Sequence, residues 1–383
     1  MSNKKMKSEW RASKESFRFD LAKWLFTPLA GVTLGRWLKV LKKHGTTIPI
    51  RYWPRNAFTI FMGAVNTLMS LREPDLRKDE KYKPKSPIFI IGHHRSGTTH
   101  LWKLLSVDKR FIYPTVTETI FPFTMLSMET ITNKLARIFS PRKRPQDNVS
   151  SSSESPMGEE WALCTSTFLS THMARHFPNN RDEYKKYLTM KEANEDEKTL
   201  WKSALDMFAR KILFHYGTDD ILLFKAPPNT AKIKLILELY PDARFIHIYR
   251  NPLHVFRSVL HMERHSLPLC TYQLAGEEGL KDFIIWRYKA MYDSFLEDIK
   301  YVPEEQFTEL SFEELEKDRV AAIEKIYKDL QMEGFESIRP ELKKYVDSIS
   351  DYQKNSYNLD EEDSELVKKE WRIFIDRWGY HTE

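Results

Sequence analysis

The stretch IFIIGHHRSGTTHLWKLL, residues 88–105, joins a short apolar run, a polar turn with two glycines and an apolar-periodic helix. Ile88 to Ile91, bounded by turn residues, read as a buried strand, and Leu101, Leu104 and Leu105 recur at helical spacing. The strand ends at Gly92 and a helix starts around Gly97 to Thr99. The first backbone N–H groups of such a helix lack intrahelical partners, which makes an anion site. Gly92 and Gly97 let the backbone approach a ligand closely, and the hydroxyls of Ser96, Thr98 and Thr99 add donors.

The rival for such a loop is the nucleoside-triphosphate P-loop, G-x-x-x-x-G-K-[ST]. Gly92 and Gly97 have its spacing, but Thr98 stands where its lysine would reach the β- and γ-phosphates, and the cation has moved to Arg95. No strand ends in an aspartate suited to magnesium; the best later strand ends in Tyr249-Arg250. The loop cradles a phosphate without the triphosphate and magnesium equipment of a kinase or ATPase.

Outward from this loop the same alternation repeats. Further buried strands are expected at 221–224, 243–250 and 306–310, the second of these leading into a helix at 252–261 and the last into SFEELEKD. Strands alternating with helices predict an α/β domain, a P-loop-like parallel sheet flanked by helices over residues 81–383. Residues 124–220 read as mainly helical, with a serine-rich loop at 150–155 and a solvated acidic helix start at 192–198. Residues 72–87, charged and proline-punctuated, read as a linker.

Before that linker, residues 1–80 read as an amphipathic helical extension. Trp24, Leu25, Phe26, Leu29, Leu34, Trp37, Leu38 and Leu41 alternate with lysines and arginines, interrupted by Pro28 and Gly31, and a second apolar stretch runs from Ala57 to Leu71. The pair either pads the core or lies on a membrane or frames an apolar tunnel.

Composition narrows the function classes. The 383 residues, 41% hydrophobic and 13% aromatic, are enough for one large core with a helical extension. The net charge of +6 suits an anionic ligand or membrane surface, whereas 60 basic residues interleaved with 54 acidic ones do not form a nucleic-acid footprint. Two distant cysteines, Cys164 and Cys270, give no disulfide framework and point to a reducing, cytoplasmic compartment. The polar, charged start is not a secretory signal, and no uncharged apolar run is long enough to span a bilayer.

A second signature completes the first. ARFIHIYRNPLHVFRSV places Arg250, Asn251 and Pro252 at a strand's end and Ser258 on the helix that follows. A guanidinium at a strand's C-terminal end forms a fork for phosphate, and a hydroxyl one helical step on completes a cup. With Arg95-Ser96-Gly97-Thr98-Thr99, in this order and separation, the chain resembles the PAPS-dependent sulfotransferases. It is most similar to their bacterial arginine-loop subfamily, which shares features with tyrosylprotein sulfotransferases. Supporting echoes are Pro114-Thr115-Val116-Thr117-Glu118-Thr119-Ile120-Phe121-Pro122, Arg144-Pro145-Gln146-Asp147-Asn148, Glu159-Glu160-Trp161-Ala162-Leu163, Phe224-Lys225-Ala226-Pro227 and QFTELSFEELEKDRV. The likeness spans roughly residues 50–330, and departs where Ala226 replaces a common serine, removing a hydroxyl contact to the donor.

The resemblance implies sulfuryl transfer from PAPS (3′-phosphoadenosine 5′-phosphosulfate) to an acceptor hydroxyl. It implies Arg95, Ser96, Gly97, Thr98 and Thr99 at the 5′-phosphosulfate, and Arg250 and Ser258 at the 3′-phosphate. Glu118 is the implied general base, with Glu159, Glu160 and, more weakly, His100 as rivals, and Arg95 and Lys225 neutralise charge during transfer. No metal is called for: His172 and His176 lie four apart, but Met173 stands where a zinc helix needs its glutamate. His93 and His94 read as shaping the turn, and His247 as a core histidine. The aromatic helices at 19–71 and TETIFPFTMLSMET favour an apolar acceptor, a sterol or lipid alcohol, with peripheral membrane contact through residues 19–71. The alternatives are a P-loop-type kinase acting on a small alcohol and a non-catalytic peripheral membrane protein.

Overall fold

The computed structural model describes residues 27–139, 154–217, 220–274, 276–349 and 360–380. Arg144-Pro145-Gln146-Asp147-Asn148, the basic run beside it and residues 1–26 lie outside them. Strands β1 (Ile88–Ile91), β2 (Phe111–Ile112), β3 (Ile221–Lys225), β4 (Arg244–Tyr249) and β5 (Phe307–Ser311) form one parallel sheet in the order β2-β3-β1-β4-β5. In chain order the helices that matter to the site are α1 (Leu34–His44), α2 (Trp53–Ser70), α3 (Thr98–Leu105), α4 (Val116–Ile120), α5 (Glu160–Thr167) and α6 (Glu195–Tyr216). They continue with α7 (Pro252–Cys270), α8 (Leu280–Asp298), α9 (Phe312–Lys317), α10 (Arg319–Asp329) and α11 (Phe335–Ser348).

Strand alternation divides the core into two layers. Phe89, Ile91, Phe224 and Phe245 face α6, α7 and α8, meeting Trp201, Phe208, Phe256 and Tyr292. Ile88, Ile90, Leu223, Ile246 and Ile248 face α3, α10 and α11, meeting Leu101, Ile323 and Leu342. All four residues of β1 are fully buried, because both faces of a parallel sheet are covered.

The chain leaves β1 for β2 and β3 on one side, then crosses to β4 and β5 on the other. That reversal opens a crevice at the C-terminal ends of β1, β3 and β4, the place where open α/β sheets bind ligands.

Four strands stand where the sequence places them. The short edge strand β2 carries no periodicity to read, and α7 runs nine residues past the expected 261, through Pro268 in its last turn. Residues 72–87 are not a loose tether. Arg210 donates to the carbonyls of Leu76 (3.4 Å) and Asp79 (2.6 Å), and Lys211 pairs with Glu73 at 2.8 Å. The N-terminal helices pack on the body through buried polar contacts, among them His44 with Tyr184 at 2.7 Å and Arg55 with the Pro268 carbonyl at 3.3 Å.

Candidate active site

The loop after β1 is held by its own backbone. The Ser96 N–H and hydroxyl both donate to the His93 carbonyl, at 3.2 and 2.9 Å, and the Gly92 N–H donates to Thr230 Oγ1 at 2.8 Å. Gly92 (φ +142°) and Gly97 (φ +105°) adopt conformations that side chains avoid. A Cβ on Gly92 would lie 2.3 Å from the Ile248 carbonyl oxygen, and one on Gly97 2.5 Å from Phe312 Cδ2. Gly97 caps α3, whose first N–H groups open into the crevice.

Arg95 is a non-glycine residue at φ +72°, a strained left-handed conformation. Its Nε donates to Ser258 Oγ at 2.8 Å, joining the two phosphate signatures across 163 residues. Arg250 lies with its guanidinium 4.2 Å from the Phe312 ring centroid. Burial pulls the Arg250 pKa below its ordinary value; Glu313 and Glu316 oppose this, and the positive charges of Arg95 and Arg257 add to it. The guanidiniums of Arg95, Arg250 and Arg257 thus lie close enough to act on one another's charge. The Nε atoms of Arg250 and Arg257 are buried without a hydrogen-bond partner, so the residues present fit a phosphate or sulfate group.

Lys225 closes β3 on the other flank. Its Nζ donates to Thr99 Oγ1 at 3.4 Å and lies 4.9 Å from the Trp102 ring centroid. Its backbone N–H donates to Glu159 at 3.2 Å, and Glu159 also accepts from Asn229. Burial pushes the Glu159 pKa up to about 7. Gly158 packs so tightly that a Cβ there would lie 2.5 Å from the Lys225 carbonyl oxygen. Glu159 is therefore placed to fix the end of β3. Glu160 lies in a buried ion pair with Lys232 at 3.3 Å and accepts the Ser170 hydroxyl at 2.6 Å. His100 sits toward the surface between Glu316 (3.1 Å) and Arg319 (3.2 Å).

Glu118 is buried in α4 and completes a capping box with Thr115. Its Oε2 accepts the Thr115 N–H at 2.7 Å and the Thr115 hydroxyl at 2.8 Å. Burial raises its pKa above the ordinary carboxylate range, and Thr115, His215 and Tyr216 partly offset the rise. Its turn reaches Lys225 through residues 155–159: Val116 donates to the Ser155 carbonyl and Met157 to the Pro114 carbonyl, both at 3.0 Å. Arg95 joins Ser258 and lies within electrostatic reach of Arg250, Lys225 joins Thr99 at the start of α3, and the Glu118 turn is tied to the segment that precedes Glu159.

The histidines behave as follows. His93 is buried, its N–H donating to the Tyr292 hydroxyl at 3.2 Å, and His172 stacks on Trp161 at 4.3 Å. His176 Nδ1 lies 2.6 Å from the Cys270 carbonyl, and His247 Nδ1 meets Glu309. Among the described residues no group of three His, Cys, Asp or Glu is placed to hold a metal ion.

Two contributors were not read from the sequence. Arg257 directly precedes Ser258, a position whose charge was the available signal. The C-terminal segment returns to cover β4: Trp378 stacks on Tyr249 at 5.0 Å, and the Tyr380 hydroxyl donates to Glu313 at 2.6 Å. Aromatic residues so far along the chain carry no local sign of that return.

A parallel sheet with an anion-cradling loop after its central strand and an arginine-serine cup after the next suits a group-transfer enzyme that handles an anionic ligand. Residues 87–337 match the sulfotransferase family, and the chain belongs to that family. It is 30% identical over 378 residues, 97% of each chain, to the omega-hydroxy-beta-dihydromenaquinone-9 sulfotransferase Stf3 of Mycobacterium bovis, and equally so to that of Mycobacterium tuberculosis. The fold resembles the crystal structure of sulfotransferase STF1 from Mycobacterium tuberculosis, with a TM-score of 0.64 at 16% identity, covering 88% of this chain and 91% of that one. It also resembles sulfotransferase STF9 from Mycobacterium avium, with a TM-score of 0.58 at 15% identity, covering 82% and 79%.

Proposed function

We propose that this sulfotransferase takes its sulfuryl group from PAPS and delivers it to the hydroxyl of a hydrophobic lipid alcohol. The observation that carries the donor reading is the Arg95–Ser258 hydrogen bond, which ties a 5′-phosphate loop to a second anion cup and so suits a bisphosphorylated nucleotide. The donor supplies the sulfuryl group and a bisphosphate leaving group. Arg250 and Ser258, with Arg257 beside them, hold the 3′-phosphate; Ser96, Thr98, Thr99 and the N–H groups around Gly97 receive the 5′ end. Arg95 and Lys225 face the charge that grows on the bridging oxygen. Glu118 takes the proton of the acceptor hydroxyl, its buried carboxylate kept basic enough for the task.

The acceptor class rests on likeness. The Stf3 relatives, similar over nearly their whole length, are named for an omega-hydroxylated menaquinone derivative, a lipid alcohol. A lipid acceptor calls for membrane access, which this reading places in the N-terminal region 19–71. The two buried free cysteines, Cys164 and Cys270, support a reducing, cytoplasmic setting.

The test is incubation of the enzyme with radiolabelled PAPS, without magnesium, and hydroxylated isoprenoid quinones, sterols and short polar alcohols in turn. Label is expected on lipid alcohols and absent from short polar ones. Magnesium-dependent consumption of ATP with no sulfated product would overturn the reading in favour of a kinase.

A further inference from the structure

Helix α2 turns an unusually polar face inward. Beside buried Met62 and Gly63, that face carries Arg55, Asn56, Thr59 and Asn66, all buried and all hydrogen-bonded. Asn56 accepts from Trp37 Nε1 at 2.9 Å, Thr59 meets the Tyr272 hydroxyl at 2.7 Å, and Asn66 donates to the carbonyls of Ala30 and Val32 at 2.8 and 3.0 Å. Its outward face carries Trp53, Ala57, Phe61 and Leu68, with Leu71 just beyond the helix end, spaced by four, four, seven and three residues. Trp53 is 48% exposed, Phe61 63%, Leu68 68% and Leu71 82%. A helix that merely pads a domain turns its apolar stripe inward.

The apolar surface continues beyond α2. Ile50 and Leu38 are exposed, and a shallow recess of about 470 Å³ lined by Leu41, Gly45, Thr46, Trp53, Asn56 and Ile60 joins the two helices. No charged residue lies on the exposed face between Trp53 and Leu71. Exposed cations flank it in the chain: Lys39 and Lys42 on α1, with Lys43 beside them paired to Glu183 at 2.5 Å, and Arg51 and Arg72 beyond the two ends of α2. Among the described residues no helix is long and apolar enough to cross a membrane.

We infer that the outward face of α2, with Leu38 and Ile50, docks on the surface of an anionic lipid bilayer. The 18-residue helix, about 27 Å long, lies in the interface plane with Trp53, Phe61, Leu68 and Leu71 among the acyl chains and the lysines of α1 at the headgroups. A two-fold pairing of copies through this face would bring the same cationic border against itself, whereas anionic headgroups complement it. The inference deepens the lipid-acceptor reading and rests on it for its purpose, since a bilayer-bound alcohol then meets the enzyme in the plane where it dissolves.

The experiment is co-sedimentation of the full chain with vesicles of phosphatidylglycerol mixed with phosphatidylcholine, and with phosphatidylcholine alone, in the absence of acceptor and donor. Binding to the anionic vesicles is expected, weakening with salt. Phe61→Asp with Leu68→Asp lowers it about tenfold or more, and Lys39→Gln with Lys42→Gln lowers only the anionic component. Both variants keep the bisphosphate affinity of the parent, which reports an intact fold and donor site, and both keep sulfotransfer to a detergent-dispersed acceptor. Failure of sulfotransfer with vesicle binding intact would sink the lipid-alcohol reading and leave the docking face standing. The docking inference is overturned if the parent ignores anionic vesicles or if the aspartate variant binds them as tightly. It is equally overturned if sedimentation velocity shows a dimer split by those aspartates with no vesicle binding, which would make the face a self-interface.

Discussion

Arg95 and Ser258, 163 residues apart in the chain, are joined by a 2.8 Å hydrogen bond from Nε to Oγ. The bond commits the Arg95 Nε to positioning, and it ties together the loop after β1 and the helix after β4. Ser258→Ala is therefore expected to weaken binding of 3′-phosphoadenosine 5′-phosphate by about tenfold, the worth of one hydrogen bond to a charged group. Arg250→Ala removes a charge-assisted fork and should cost about a hundredfold. Arg95→Lys should not rescue, because an ammonium cannot keep the Nε bond while reaching the ligand. Calorimetric titration without magnesium checks all three, and parent-like affinity in Arg250→Ala would remove that residue from the donor site.

On the proposed mechanism Glu118 separates binding from chemistry. In Glu118→Gln the amide oxygen still accepts from Thr115, so the turn and the donor site survive while the proton acceptor is gone. Donor affinity should match the parent and turnover should fall by about a hundredfold or more. In the parent, turnover should fall as pH drops through a value above the ordinary carboxylate range, because burial raises the carboxyl that must be ionised to act. The variant should lose that limb. Unchanged turnover would move the base elsewhere, and Glu160, locked to Lys232 and Ser170, is a poor replacement.

The residues of the proposed donor site could be read because they lie at or just after strand ends, where two local patterns, glycine turn and arginine-proline turn, report geometry directly. Arg95, Thr99, Lys225, Arg250 and Ser258 come from segments at or after the neighbouring strands β1, β3 and β4, and Ile88–Ile91 and Ile221–Lys225 are near-continuous apolar runs. What escaped depends on tertiary placement. Phe111–Ile112 is too short for any period to show, and Trp378 reaches Tyr249 only through the whole fold. Helix α2 was legible only in part: its apolar residues left core padding and a surface face both open, and which face turned outward was decided by Arg55, Asn56 and Asn66 finding buried carbonyl and side-chain partners.

Gly97 carries a conformational demand and a packing demand together. At φ +105°, with a Cβ only 2.5 Å from Phe312, alanine must distort the loop or expel the ring that supports Arg250. Gly97→Ala should cost about 2 kcal/mol or more of stability and weaken bisphosphate binding with it. Gly35 in α1 is the control: a Cβ there meets nothing within 4 Å, so Gly35→Ala should leave stability equal or slightly raised. Urea unfolding of the two variants, read with calorimetry, tests the contrast.

Two buried carboxyls should give the folded state opposite pH slopes. Glu263 accepts from Arg175 and Arg287, both at 2.9 Å; burial alone would raise its pKa, but the two guanidiniums bring it down to about 2. Its folded pKa lies below the unfolded one, so its contribution is present above about pH 4.5 and is lost as pH falls toward 2, about 3 kcal/mol over that window. Glu159 is displaced upward by burial to about 7, so the folded state holds its proton longer than the unfolded chain does. Stability should therefore decline as pH rises from about 4.5 to about 7. Glu159→Gln should flatten that decline and leave the acid limb intact. Glu263→Gln should lower stability by roughly 3–5 kcal/mol near neutrality, because two buried guanidiniums lose their shared charge, and should blunt the acid limb. Denaturant unfolding from pH 3 to pH 8 reads both slopes; Glu118, also raised by burial, adds a decline of the same sign, and a decline left unchanged by Glu159→Gln would show that Glu159 is not its source.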